Sequence, residues 1–218
     1  MLEPTGRHHA ITQAGDPTSS QVSGQVSGPV IALVCSAGGL KPLIEILAHL
    51  PGDLPAALIV IQHQDPRSHN LLAHVLQPHT DLAVRPAEDE MLLHPGVVHL
   101  PSGGQHLLVS AGRRLLLLPA GPTPPPRPSA DLLLTSLALA VGPQAIAVVL
   151  SGGGNDGATG ATAIHRCGGL VITATEASSA QPDMPRATAE RDHITAHVSD
   201  PTDIAALLIR AVTTARPG

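Results

Sequence analysis

The chain has 218 residues, with 12 Lys and Arg against 17 Asp and Glu for a formal net charge of −5, and contains no Phe, Tyr or Trp. That length favours one α/β unit with a tail and leaves ample chain to bury a core. Without aromatic rings to stack bases, and with an acidic balance that gives phosphate backbones little to hold, no nucleic-acid partner is expected. No apolar stretch approaches the roughly 20 residues of a membrane span, and residues 1–28 are too polar for a signal-peptide core, so direct membrane insertion is not expected and the reading is cytoplasmic. Cys35 and Cys167 are too few for a disulfide framework, and Lys41 is the only lysine, which nearly excludes a serine-lysine mechanism.

Residues 1–28 are rich in Gln, Ser, Thr, Gly and His with no apolar period, the composition of a disordered tail. From Pro29 the pattern changes. The run PVIALVC (29–35) leads into a helical pattern from Gly39 to Leu50 and then PAALIVIQ (55–62). Residues 95–118 carry VVHL, HLLVS and RLLLL between turn signals, which predicts antiparallel hairpins. PAGPTPPPRP (119–128) has six prolines in ten residues and is expected to be an extended connector. A helix near 129–141, QAIAVVL (144–150), a glycine-rich turn, a helix near 157–167 and GLVITAT (169–175) repeat the strand-turn-helix grammar. Ile204, Leu207, Leu208 and Val212 mark a last helix near 202–214. Continuous apolar runs separated by helices indicate a three-layer α/β fold: a mostly parallel sheet with helices on both faces and an antiparallel hairpin excursion.

Ligands of open parallel sheets bind beyond the carboxyl ends of the strands, so the residues that follow each apolar run carry the functional information. Ser36-Ala37-Gly38-Gly39 follows the first run, His63 the second, and Ser151-Gly152-Gly153-Gly154-Asn155-Asp156-Gly157 the run QAIAVVL. A serine, a base and an acid that fixes the base's tautomer form the set that nucleophilic acyl transfer requires. Gly38 and Gly39 permit a tight turn behind Ser36, where a helix N-terminus offers free N–H groups to an oxyanion.

These residues resemble the catalytic domain of the CheB-type chemotaxis protein-glutamate methylesterases. The motifs are S-x-G-G at Ser36 to Gly39, Q-H at Gln62-His63, R-P-S-x-D at Arg127 to Asp131, G-x-G-x-D-G-A around Asp156, and M-P-x-A at Met184 to Ala187. The resemblance implies that residues 29–214 form a methylesterase-like catalytic domain, with Ser36 as nucleophile, His63 as base and Asp156 as the acid orienting it. Ala37, Gly38 and Gly153 then belong to the oxyanion loops, and Arg127, Ser129, Asp131 and Met184 to a substrate rim. It implies hydrolysis of glutamyl methyl esters on methylated receptor-type signalling proteins, with glutamine deamidation as a second activity and no cofactor. Relatives usually carry Thr at Ala37 and Met at Gly153, and often His at Pro126 and Gly at Asp183. Many also carry a regulatory receiver domain ahead of the catalytic part; only 28 residues precede the first run here, so regulation is expected from a separate chain.

Simpler readings stand beside these. Singly, Ser36 reads as a turn or cap residue, His63 as a core histidine and Asp156 as a loop acid; their joint arrival at one sheet edge favours the triad. His69, His74 and His79 step by five, and His193 and His197 alternate with apolar residues, so no metal site is expected. Cys35, its side chain facing away from that of Ser36, is read as packing. The rivals from other classes are a phosphate- or nucleotide-binding protein, for which GGGNDGATG lacks the P-loop lysine, and a degenerate homologue that only binds.

Overall fold

A computed structural model describes residues 27–64, 71–121, 128–191 and 197–214. Most of the expected tail, Arg127 with most of the proline connector, His69 and His193 therefore lie outside the described residues.

The apolar runs become inner strands because both of their faces are covered. β1 (Val30–Cys35) is buried at every position, and β2 (Ala57–Gln62) and β7 (Ala145–Val149) flank it in parallel. β8 (Leu170–Ala174) follows β7, and β9 (His197–Ser199) closes that edge. On the other side β2 pairs with β4 (Val97–Leu100), and β4 with the edge strand β3 (Ala83–Pro86). The seven-stranded sheet thus runs β3-β4-β2-β1-β7-β8-β9 with every pairing parallel. From β1 the chain first builds outward through β2, then returns to build through β7, which makes the β1/β7 boundary the switch point where such sheets open a crevice.

Alternation along β1 divides the core. Ile31, Leu33 and Cys35 face α1 (Leu40–Ala48), α2 (Leu72–Leu76) and α6 (Pro201–Thr214). Val30, Ala32 and Val34 face α3 (Ala130–Val141), α4 (Ala158–Arg166), Met184 of α5 (Asp183–Glu190), and a two-stranded hairpin. That hairpin is antiparallel, β5 (Gln105–Val109) with β6 (Leu115–Pro119), and Ser136 on α3 accepts a hydrogen bond from the Val109 amide at 3.0 Å. The three-layer expectation holds, with one correction. VVHL, expected in a hairpin, is β4 of the parallel sheet; only the two later runs form the hairpin. β3 is short and half exposed, and α5 has Met184 as its one large apolar residue; neither is among the elements expected from the sequence. Among the described residues no helix is long and apolar enough to cross a membrane.

Candidate active site

Ser36 is the first residue beyond β1. Its amide donates to the Ser151 carbonyl at 2.9 Å, one step past the β1/β7 ladder, so the Ser36 turn is fixed by the same pairing that holds the sheet centre. Gly38 takes φ +76, a left-handed conformation that favours glycine, and α1 starts two residues later. Register then places His63. Cys35 pairs with Gln62, and the His63 amide donates to the Cys35 carbonyl at 3.0 Å, which places His63 directly beside Ser36 on the neighbouring strand end. The third group arrives from beyond β7. Asp156 Oδ2 lies 2.9 Å from His63 Nε2, with 12% of the histidine side chain and 9% of the aspartate side chain exposed. With Nε2 engaged by the carboxylate, Nδ1 is the ring nitrogen left to take a proton.

Burial alone would push the Asp156 carboxyl above the usual carboxylate range. The hydrogen bond from His63, the backbone amides of Ala130 and Asp131, and the charge of His63 together outweigh it, so the group is held below that range. Those amides open α3: Ala130 N donates to Oδ2 at 2.7 Å and Asp131 N to Oδ1 at 3.0 Å, while the Ser129 hydroxyl adds a third contact to Oδ1 at 3.1 Å. The positive end of α3 therefore faces an ionised carboxylate and satisfies two amides that a helix start leaves unpaired. The arrangement is reciprocal, because Asp131 Oδ1 accepts from Gly157 N at 3.0 Å and Gly160 N at 2.8 Å at the start of α4. Each helix thus lends the other the acid that caps it.

The remaining sequence candidates separate into two groups. Ala37, Gly38 and Gly153 are exposed in the loops that follow β1 and β7. Ser129, Asp131 and Met184 were expected at a substrate rim. Ser129 and Asp131 instead stand behind Asp156, and Met184 is fully buried, where its sulfur would lie 2.1 Å from a Cβ added at Gly152. The R-P-S-x-D pattern contains a helix cap, and that signal could have indicated the supporting role: Ser129 caps α3 by accepting from Leu132 N at 3.4 Å. Cys35 is buried at the base of the turn, and burial pushes its thiol up to about 12, so it supplies no thiolate. Among the described residues no cluster of His, Cys, Asp or Glu could hold a metal ion. An open, apolar groove of about 360 Å³, lined by Gly38, Leu40, Lys41 and Ile44, begins beside Gly38.

Residues 31–208 match the family model described as CheB methylesterase. The chain belongs to that family. A CheB methylesterase catalytic domain from Thermotoga maritima superposes with a TM-score of 0.80 at 31% identity, covering 85% of this chain and 100% of that one. Protein-glutamate methylesterase FrzG of Myxococcus xanthus is 42% identical over 159 residues, which are 72% of this chain and 47% of the relative. A protein-glutamate methylesterase/protein-glutamine glutaminase of Moorella thermoacetica is 38% identical over 190 residues, 85% of this chain and 45% of the relative. The chain spans about half the length of the curated relatives it matches.

Proposed function

We propose that this CheB-family chain is a serine carboxylesterase that hydrolyses glutamyl γ-methyl esters on receptor-type signalling proteins and deamidates glutamine side chains by the same route. The observation that carries the reading is the His63–Asp156 pair, 2.9 Å apart and nearly closed to solvent, on the strand ends that flank Ser36. His63 Nδ1 takes the Ser36 proton as Oγ attacks the ester carbonyl. The carbonyl electron pair moves onto oxygen, toward the amides of Gly38 and Gly153, for which no acceptor lies among the described residues. Collapse of that adduct breaks the C–OCH₃ bond, His63 returns the proton, and methanol leaves; water then repeats the sequence on the acyl-enzyme and frees the glutamate carboxylate. With a glutamine side chain the leaving group is ammonia. Asp156 stays ionised, orients the ring and stabilises its protonated form.

The flanking substrate polypeptide rests on the apolar groove along α1, which begins next to the nucleophile turn. A cytoplasmic location goes with this reading, as does control by a separate regulatory chain. The test is methanol release from a methyl-labelled receptor segment. Wild-type protein should release methanol, Ser36→Ala and His63→Ala should reduce release by at least about 10³-fold, and the two losses should be similar because the members of such a unit act together. A Ser36→Ala protein that keeps most of its ester hydrolysis overturns the assignment.

A further inference from the structure

We propose that Ser151 is a positioning residue whose buried hydroxyl aims the Gly38 amide at the developing oxyanion; the inference rests on the esterase reading above. Ser151 is fully buried at the end of β7. Its Oγ donates to the Ala37 carbonyl at 2.8 Å and accepts from the Gln181 amide at 3.0 Å. A second acceptor, the Gln181 carbonyl, lies farther away at 3.3 Å and already receives the Gly152 amide at 2.8 Å, so the single hydroxyl proton belongs on Ala37. The Ala37–Gly38 peptide is planar and trans, and its C=O and N–H point in opposite directions. Fastening the carbonyl inward to Ser151 therefore turns the Gly38 N–H outward, at an exposed position two residues past the nucleophile. Among the described residues nothing accepts from that amide. The fit beneath it is close: a Cβ at Gly38 would lie 2.9 Å from Ser151 Oγ.

The backbone of Ser151 and its side chain thus do separate jobs. The carbonyl holds Ser36 N at 2.9 Å, which any residue could do, whereas the hydroxyl fixes the orientation of the next peptide but one, which only a small buried donor can do. Without the hydroxyl the Ala37–Gly38 peptide, flanked by glycine, can rotate. In the reaction Ser36 Oγ bonds to the ester carbon and the carbonyl π pair moves to oxygen; a rotated Gly38 N–H would meet that charge poorly while ground-state binding stays the same.

The experiment compares wild type, Ser151→Ala, Ser151→Cys and Ser36→Ala on a peptide bearing one glutamyl γ-methyl ester, reading methanol release. The trifluoromethyl ketone analogue, whose adduct with Ser36 carries an oxyanion, is titrated in parallel. Removing an oxyanion donor costs about 10²–10³ in rate, so loosening one in Ser151→Ala should lower kcat by about 10- to 100-fold. KM should stay within about twofold, affinity for the ketone should fall by the same factor as kcat/KM, and the pH–rate profile should keep its position because His63 and Asp156 are untouched. Ser151→Cys, similar in volume with a weaker donor, should fall between, and it carries the test alone if Ser151→Ala does not fold. Wild-type kcat in either folded variant, a loss confined to KM, or a displaced pH profile overturns the proposal. A wild type that, like Ser36→Ala, releases no methanol removes the esterase reading and this proposal with it.

Discussion

Two adjacent glycines beside Ser36 are under opposite constraints. A Cβ at Gly152 would lie 2.1 Å from Met184 Sδ and 2.8 Å from Ser36 Cβ, and the fully buried Met184 has little room to retreat. Gly152→Ala should therefore push Ser36, cost about 2 kcal/mol of stability as an overpacked core does, and lower kcat at least tenfold. At Gly153 an added Cβ meets nothing within 4 Å. Glycine there leaves the loop more conformations than its single exposed amide needs. Gly153→Met keeps that N–H and narrows the loop, so single-turnover hydrolysis should quicken by less than about tenfold, with stability unchanged or raised by about 0.5 kcal/mol. A slower Gly153→Met enzyme would show that the open loop serves the substrate rather than weakening the site. The sequence could mark both glycines but not separate them, because the difference lies in Met184, brought underneath from α5.

At the scale of elements, α3 and α4 exchange caps through Asp131 and Asp156, and the two acids tolerate an amide differently. Both Asp156 oxygens are occupied: Oδ1 faces Ser129 Oγ and Asp131 N, and Oδ2 faces His63 Nε2 and Ala130 N. In Asp156→Asn the NH₂ meets a backbone N–H in either orientation, that of Asp131 or that of Ala130, so stability should fall by about 2 kcal/mol and turnover should nearly vanish. Asp131 accepts these two bonds through Oδ1 alone, and an asparagine oxygen can make them. Asp131→Asn should stay within about 0.5 kcal/mol of wild type, while Asp131→Ala should lose about 1–2 kcal/mol and much of its kcat as the Asp156 loop loosens. Urea denaturation and steady-state kinetics on the three variants decide it; equal losses in Asp131→Asn and Asp131→Ala would refute the shared-cap account. The same scale shows where the sequence was legible. Runs such as VIALVC and ALIVI declare inner strands because every residue is apolar. β4 hides that signal behind His99, and its shortness beside SGG made it resemble a hairpin arm. β3 ends in Arg85 and Pro86, both exposed, the composition of a sheet edge rather than of a core strand.

Across the whole molecule, site and sheet share one origin: Ser36 and Ser151 leave the two strands where the chain reverses its direction of growth, and His63 leaves the strand beside them. That these groups follow apolar runs was readable, since chemistry collects at strand ends; that β1 lies between β2 and β7 was not, because apolar runs do not fix strand order. What the sequence could not display is a titratable group buried within the sheet. His99 sits in β4 only 1% exposed, with Nδ1 unpartnered among the described residues, and burial, followed by the nearby His94 and Arg85, lowers its pKa to about 4. The unfolded chain, with an ordinary histidine value of about 6.5, binds this proton where the folded chain does not. Stability from this source is therefore complete above about pH 6.5, declines as pH falls toward 4, and amounts to about 3 kcal/mol. Asp156 acts in the next window: its folded pKa lies below the unfolded value of about 3.9, so its contribution is present above that value and is lost as pH falls through the depressed one. Acid unfolding should thus proceed in two stages. Denaturant midpoints from pH 8 to 3 should show wild type weakening between pH 6.5 and 4, and His99→Gln nearly level across that interval with the lower-pH loss intact. If His99→Gln keeps the wild-type slope above pH 4, the buried histidine is not the group that titrates there.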